Sequence, residues 1–297
     1  MEKIKKIMDN KDILGIILVT PIVLLIIFIN IYPILLAIYN SFFDIRGLAN
    51  RGFVGLQNYI DIFTNPRFWR SLLVTIYFAI GSISIQMVFG MLIALALNKS
   101  FKGRKFVRAI IIIPWAIPSS LGAMMWNRFF APYDGFINAT LRYIGLLEGS
   151  IYWFSSSVLA LIVIIFVDTW RMTPYYAILL LAGLQAIPKS YYEAAAVNGA
   201  SKLKAFFYIT LPQLKPIVLI ILILRTVHIF FAFDLIYILT AGGPGDSTRV
   251  LAYYAYQEAF QNLHHGRGAV MSFFLFVVVI ILSFFYIKFF KYGSNIK

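Results

Sequence analysis

The sequence predicts an all-α polytopic membrane protein with six transmembrane helices and a short helix on the solvent side. Three observations predict it. Of 297 residues, 61% are hydrophobic and only 13% charged, and the mean hydropathy is +0.84; water-soluble chains carry about 25% charged residues. The apolar residues form continuous runs of the length, about 20 residues, that crosses a bilayer core as a helix. They do not form the alternating segments of about ten residues expected of a membrane β-barrel. Basic residues also fall unequally on alternate connections between the runs.

The first run, 13–38, follows Lys3, Lys5, Lys6 and Lys11. It is too long for a signal core and has no small-x-small cleavage site, so a retained anchor is expected. With the first outer connection it makes an N-terminal region, 1–68. Five further spans, at 72–97, 106–130, 158–184, 217–239 and 269–290, make a core over 69–291, followed by a tail at 292–297. Lys and Arg in the N-terminus, the 98–108 and 185–215 connections and the C-terminus outnumber those of the other connections about two to one. Both termini are therefore expected in the cytoplasm. The connections at 40–70, 131–155 and 240–268 carry Gly, Pro and aromatic residues and are expected to be ordered outer caps.

This topology accounts for the net charge of +14 without nucleic acid. The chain has no cysteine, which excludes disulfides, thiolate metal sites and cysteine nucleophiles. His264 and His265 are adjacent, so on a helix they point about 100° apart. With no carboxylate-rich pattern beside them, neither a metal nor another cofactor is expected. The glycine-rich stretch "TAGGPGDST" (240–248) has no lysine after its glycines and no strand before them; it predicts a tight turn, not a phosphate loop.

Connection 188–216 has the wrong composition to cross a bilayer, yet it predicts helix. Pro188 ends the preceding span. Ser190 is a candidate N-cap, with Glu193 three residues on completing a capping box. Three alanines follow, Gly199 provides a C-terminal stop, and a second helical piece is expected over about 201–208. Pro212 and Pro216 set up entry to the next span. The residues alone leave two readings open: a helix lying on lipid headgroups, or a docking element for a cytoplasmic partner.

Glu193-Ala194-Ala195, then three residues, Gly199, nine residues, and Ile209-x-Leu211-Pro212 together resemble the EAA loop of permease subunits in binding-protein-dependent ATP-binding-cassette importers. "RAIIIIPWAIPSSLGAMMWNRFF", "WRMTPYYAILLLAGLQAIPKSYYEAAAVNGASK" and "FDLIYILTAGGPGDST" resemble the carbohydrate-uptake branch, similar to maltose and glycerol-phosphate permeases. The resemblance covers about residues 70–285. Asn198 departs from it, where many relatives have Asp. It implies that Glu193, Ala194, Ala195, Gly199, Ile209, Leu211 and Pro212 belong to a coupling helix moved by an ATPase. The implied partners are a second homologous permease subunit, two cytoplasmic ATPase subunits, an external solute-binding protein, a sugar and the lipid bilayer. The chain itself would be no enzyme, and would sit in the cytoplasmic (inner) membrane of a prokaryote. A glycerol phosphate ester or a peptide is the alternative solute. A secondary transporter would call for inverted repeats and ion-coupling acids, which are not evident.

Ionisable residues inside spans need a reason. Asp168 and Arg171 lie three apart, share a helix face and can pair; Arg225, His228 and Asp234 lie in the next span. Trp170 and Tyr175 could offer flat faces to a sugar ring, and Pro174 a kink in the helix. Asp168, Trp170, Arg171, Tyr175 and Asp234 are thus candidates for a solute pathway. The alternative reading of the charges is a tie between helices.

Overall fold

The computed structural model describes residues 11–292; the lysines at 3, 5 and 6 and the tail beyond 292 lie outside them. The chain divides into two compact units. One comprises the chain up to Thr64 together with Gln257–Phe274, the other Asn65–Tyr256 and the chain from Leu275 on.

In the first unit, helix Lys11–Ile26 runs through a wide π-turn at Ile27–Ile31 into helix Tyr32–Ser41. The stretch Leu18–Ser41 is long and apolar enough to cross a membrane. Its large apolar side chains, among them Ile22, Leu25, Phe28 and Leu35, are exposed. An apolar helix with bare sides on its whole circumference is stable only in lipid or against a partner. An antiparallel hairpin follows, β1 (Phe43–Arg46) and β2 (Ala49–Phe53). The buried Asn58 ties its base: its amide donates to the carbonyls of Ser41 and Phe43, 2.9 Å each. Asp61 of helix Gln57–Phe63 is held by Gln57 at 2.7 Å and by Arg267. His264 is half-buried and faces a carboxylate, with Nδ1 3.3 Å from Glu258.

The second unit is built on two long helices, Pro66–Asn98 and Ser157–Ala186, packed along their length. Asn65 caps the first by accepting from Arg67 N at 3.0 Å. The core around Ala94, Leu97, Tyr176, Leu180 and Leu184 continues to Leu214 and Ile221. Gly183 allows that crossing, because a Cβ there would sit 2.7 Å from the Leu214 side chain. The connection 131–155 is ordered as expected. Asn138, fully buried, donates to the carbonyls of Pro132 and Ile151 and accepts from Trp153 Nε1.

Two expected spans are broken. Segment 106–130 is not one helix: Arg104–Ala116 and Ser119–Phe129 meet at 91°. The cause is local. Proline at 118 drives Ile117 out of the helical region, to φ −74° and ψ 127°. Segment 217–239 is likewise divided, into Lys215–Phe230 and Asp234–Leu239. Among the described residues four helices are long and apolar enough to cross a membrane, and up to six spans result if the Arg104–Ala116 and Lys202–Gln213 bent pairs each count as one with the helix that follows.

Candidate functional site

The 188–216 connection folds into two helical pieces, Lys189–Val197 and Lys202–Gln213. The first starts one residue after Pro188, whose φ of −60° and ψ of 135° make it the cap residue, with no side-chain cap bond. Ser190 therefore lies inside the first turn, and the capping box with Glu193 does not form. Proline's fixed φ already serves as the start signal, and Glu193 is left exposed. Ala194 is exposed beside it and Ala195 half-buried.

The end of this helix is as expected. Gly199 has φ +74°, its N–H donates to the Ala196 carbonyl at 3.0 Å, and Ala200 N–H donates to Ala195 at 2.9 Å. This pair of bonds is a Schellman closure, in which glycine takes the left-handed position without strain. Nothing lies within 4 Å of where a Gly199 Cβ would be, so the backbone alone selects glycine. Ser201 then caps the second piece by accepting from Lys204 N at 3.3 Å.

That second piece extends past the expected 208. A π-turn at Phe206–Thr210 shifts the ladder by one residue, so Leu211 N–H reaches the Phe206 carbonyl. The extra residue accommodates Pro212, which has no N–H to give. Tyr192 Oη and Thr210 Oγ1, 2.9 Å apart, bolt the two pieces together, a link with no signature in the residue spacing. Tyr192 and Ile209 pack on the core, while Val197 (88% exposed), Leu203, Tyr208 and, partly, Leu211 stay bare. The result is a rigid elbow anchored on its inner side and open on its outer one.

Of the candidate pathway residues, Asp168, Arg171 and Asp234 line one cavity, while Trp170 does not. Asp168 does not pair with Arg171. It accepts from Arg225 of helix Lys215–Phe230 and from Gln86 Nε2 at 2.9 Å, and both members of the ion pair are 3% exposed. Arg225 thus ties two helices 57 residues apart in sequence. Its signal was present, since it is one of the few ionisable residues within the apolar runs, but Arg171, three residues from Asp168, offered a nearer partner in sequence.

Arg171 lines a cavity of about 340 Å³ with Trp115, Ser119, His228 and Asp234, and the Asp168–Arg225 pair forms part of the same wall. Arg171 Nε and Ser119 Oγ are shielded from solvent without a hydrogen-bond partner. Neither Arg171 nor Asp234 has an ion-pair partner among the described residues. Tyr175 stacks on Trp115 with ring centroids 5.1 Å apart. Trp170 does not join them. Adjacent to Arg171 on a helix, it points about 100° away, packs edge-on against Trp126 and lines a separate, apolar groove with Ile85, Phe89 and Pro114. A larger groove, of about 950 Å³, runs beside Phe207, Lys215 and Phe289. It too is mainly apolar, so of these hollows only the 340 Å³ cavity has the converging polar groups that orient a hydroxylated solute.

Residues 86–291, which hold both the elbow and the cavity, match the family described as binding-protein-dependent transport system inner membrane component. The chain belongs to that family. It is an inner-membrane transport permease and not an enzyme, because ATP hydrolysis in such systems resides on separate subunits. The trehalose/maltose transport system permease protein MalF of Thermococcus litoralis is 37% identical over 277 residues, covering 93% of this permease and 92% of the relative. The sulfoquinovosyl glycerol transport system permease protein SmoG of Agrobacterium fabrum is 35% identical, covering 93% and 90%. Among solved structures, a bacterial ABC transporter involved in import of the acidic polysaccharide alginate superposes with a TM-score of 0.84, covering 99% of this chain and 100% of that one. At 23% identity, that likeness shows the fold. The resemblance expected from the EAA spacing is thus confirmed at the level of family and fold.

Proposed function

We propose that this permease is one membrane half of an importer that carries a sugar or oligosaccharide inward. In this reading the 188–216 elbow is seated in an ATPase subunit, through Glu193, Ala194, Ala195 and Gly199, and Ile209, Leu211 and Pro212 join it to the spans. The remaining partners are a second permease, a second ATPase subunit and an external solute-binding protein, with both termini cytoplasmic. The observation that carries the proposal is the elbow: a rigid helix end that exposes Glu193, Ala194 and Val197 while its anchor side is bolted to the core. A lever that transmits force needs that combination. The sugar assignment draws on the relatives named for trehalose/maltose and sulfoquinovosyl glycerol, and on the polar cavity with its Trp115–Tyr175 stack.

The test is solute-stimulated ATP hydrolysis by the reconstituted complex, with subunit stoichiometry measured in parallel. Gly199→Asp and Glu193→Lys should abolish stimulation or release the ATPases. Normal stimulation and uptake in both would remove the elbow from the coupling path. One observation favours a second reading. Among the described residues Arg171 forms no ion pair, although Asp168 and Asp234 line the same cavity, and its guanidinium would suit an acidic solute, as for the sn-glycerol-3-phosphate transport system permease protein UgpA of Agrobacterium fabrum, 33% identical to this chain. Competition of uptake by neutral sugars and by phosphate esters separates the two.

A further inference from the structure

The connection between helix Pro66–Asn98 and the broken segment carries Lys99, Lys102, Arg104, Lys105 and Arg108. Among the described residues none of these five has an ion-pair partner. Two of them converge. Arg104 and Arg108 are one turn apart on helix Arg104–Ile111, and both donate through Nη2 to the side-chain oxygen of Gln185, 2.7 Å each, with the amide turned to face them. Their Nε groups are shielded from solvent and have no acceptor. Two guanidiniums therefore share one neutral oxygen. Like charges a turn apart repel, and an amide supplies no charge to offset them.

The rest of that helix says where the missing anion comes from. Val107 and Ile111 pack on the core. Phe106 (70% exposed), Ile110 and Ile113 form a bare apolar stripe on another side, flanked by Lys102 and Lys105. An amphipathic helix with an exposed apolar stripe and a basic border lies at the depth of lipid headgroups. A phosphodiester there brings one negative charge and two acceptor oxygens, which suits a pair of guanidiniums.

We propose that Arg104 and Arg108, steered by Gln185, clamp the phosphate of an anionic phospholipid in the cytoplasmic leaflet. The leaflet follows from the reading of the elbow as cytoplasmic, since Gln185 lies just before it. Filling the clamp relieves the repulsion and steadies the end of helix Ser157–Ala186, from which the elbow departs. Anionic lipid thereby stiffens the base of the lever.

The chain, purified with its co-expressed partner subunits, is placed in phosphatidylcholine vesicles or in vesicles of phosphatidylcholine and phosphatidylglycerol in equal parts. Thermal unfolding is followed without solute or ATP. Phosphatidylglycerol should raise the wild-type midpoint by about 2–4 °C, and the shift should vanish in Arg104→Gln/Arg108→Gln. Gln185→Glu supplies the carboxylate from within. It should unfold in phosphatidylcholine alone as late as the wild type does with phosphatidylglycerol, and should no longer respond to it. This variant carries the test if the double variant fails to fold. An equal lipid response in wild type and Gln185→Glu overturns the proposal. So does a full shift produced by inorganic phosphate in phosphatidylcholine, which would make the site one for free anion. Loss of the ATPase subunits from the double variant with an unchanged lipid response would give the pair to a protein partner and also overturns it. Because no solute or ATP is present, failure here leaves the coupling role of the elbow untouched, and failure of that role leaves the lipid response standing.

Discussion

The Asp168–Arg225 tie and the Lys189–Gln213 elbow hang on the same pair of helices, Ser157–Ala186 and Lys215–Phe230, and are built on opposite rules. In the tie, side chains do the holding. Two opposite charges at 3% exposure satisfy each other with help from Gln86. In the elbow, short-range bonds to the backbone close the helix ends, and one neutral side-chain bond, Tyr192 to Thr210, joins the pieces. The Schellman closure at Gly199 and the Ser201 cap satisfy the ends, which leaves Glu193, Val197 and Tyr208 free of internal duty. The difference separates what keeps the permease assembled from what it offers to a partner. Substitutions in the first should cost stability, and those in the second should cost transport at nearly constant stability.

The largest effect tests the tie. Asp168→Asn leaves Arg225 buried without a counter-charge and should cost about 3–5 kcal/mol, seen as loss of monodisperse protein after extraction. Asp168→Leu combined with Arg225→Met should recover most of it. A single variant as stable as wild type would break the comparison.

Next comes the elbow's end. With open space around Gly199 and φ at +74°, the cost of a side chain is the left-handed backbone alone, about 1–2 kcal/mol. Asn tolerates that conformation better than Ala, and Ala better than Val. Uptake should fall in that order while the thermal midpoint of the core stays put. Equal uptake for all three would show that helix closure is not needed for coupling.

Tyr192→Phe sharpens the boundary between the two rules, because this hydroxyl bolts the elbow to the π-turn through Thr210. The loss should be about 1 kcal/mol. Hydrogen exchange should place it in residues 189–213, and exchange rising equally along helix Ser157–Ala186 would contradict the division.

The smallest effect concerns the Asp61–Arg267 ion pair of the first unit, which is more exposed than the tie. The hydrogen bond from Gln57 is the largest single cause that holds the Asp61 carboxyl below its usual range; burial opposes it, and Arg267 adds to it by hydrogen bond and by charge. A carboxylate depressed in the folded state stabilises above its unfolded value, near pH 4, and that contribution is lost as pH falls through the folded value. Arg267→Gln should cost about 0–1 kcal/mol at neutral pH, far less than breaking the buried tie. Gln57→Leu should remove more of the acid dependence than Arg267→Gln does. The readout is thermal unfolding as a function of pH below 5.

What the sequence determined by itself is what depends on neighbours in the chain. Continuous apolar runs imply membrane helices because a bilayer core has no partner for a free backbone group. Gly199 announces a helix closure because such a closure acts within a few residues. The EAA spacing marked the family because it records one short, self-contained elbow. Even locally, competing signals misled: Pro188 displaced Ser190 as the start, and Pro118 cut a span that hydropathy alone runs together. Only the tertiary structure decided which partner Asp168 takes, that Trp170 turns from the cavity while Trp115 enters it, and that Tyr192 reaches Thr210. Those choices depend on how helices are rotated and on which side chains meet across them. Hydropathy and residue spacing constrain each helix face, but the partner across the gap is chosen by packing.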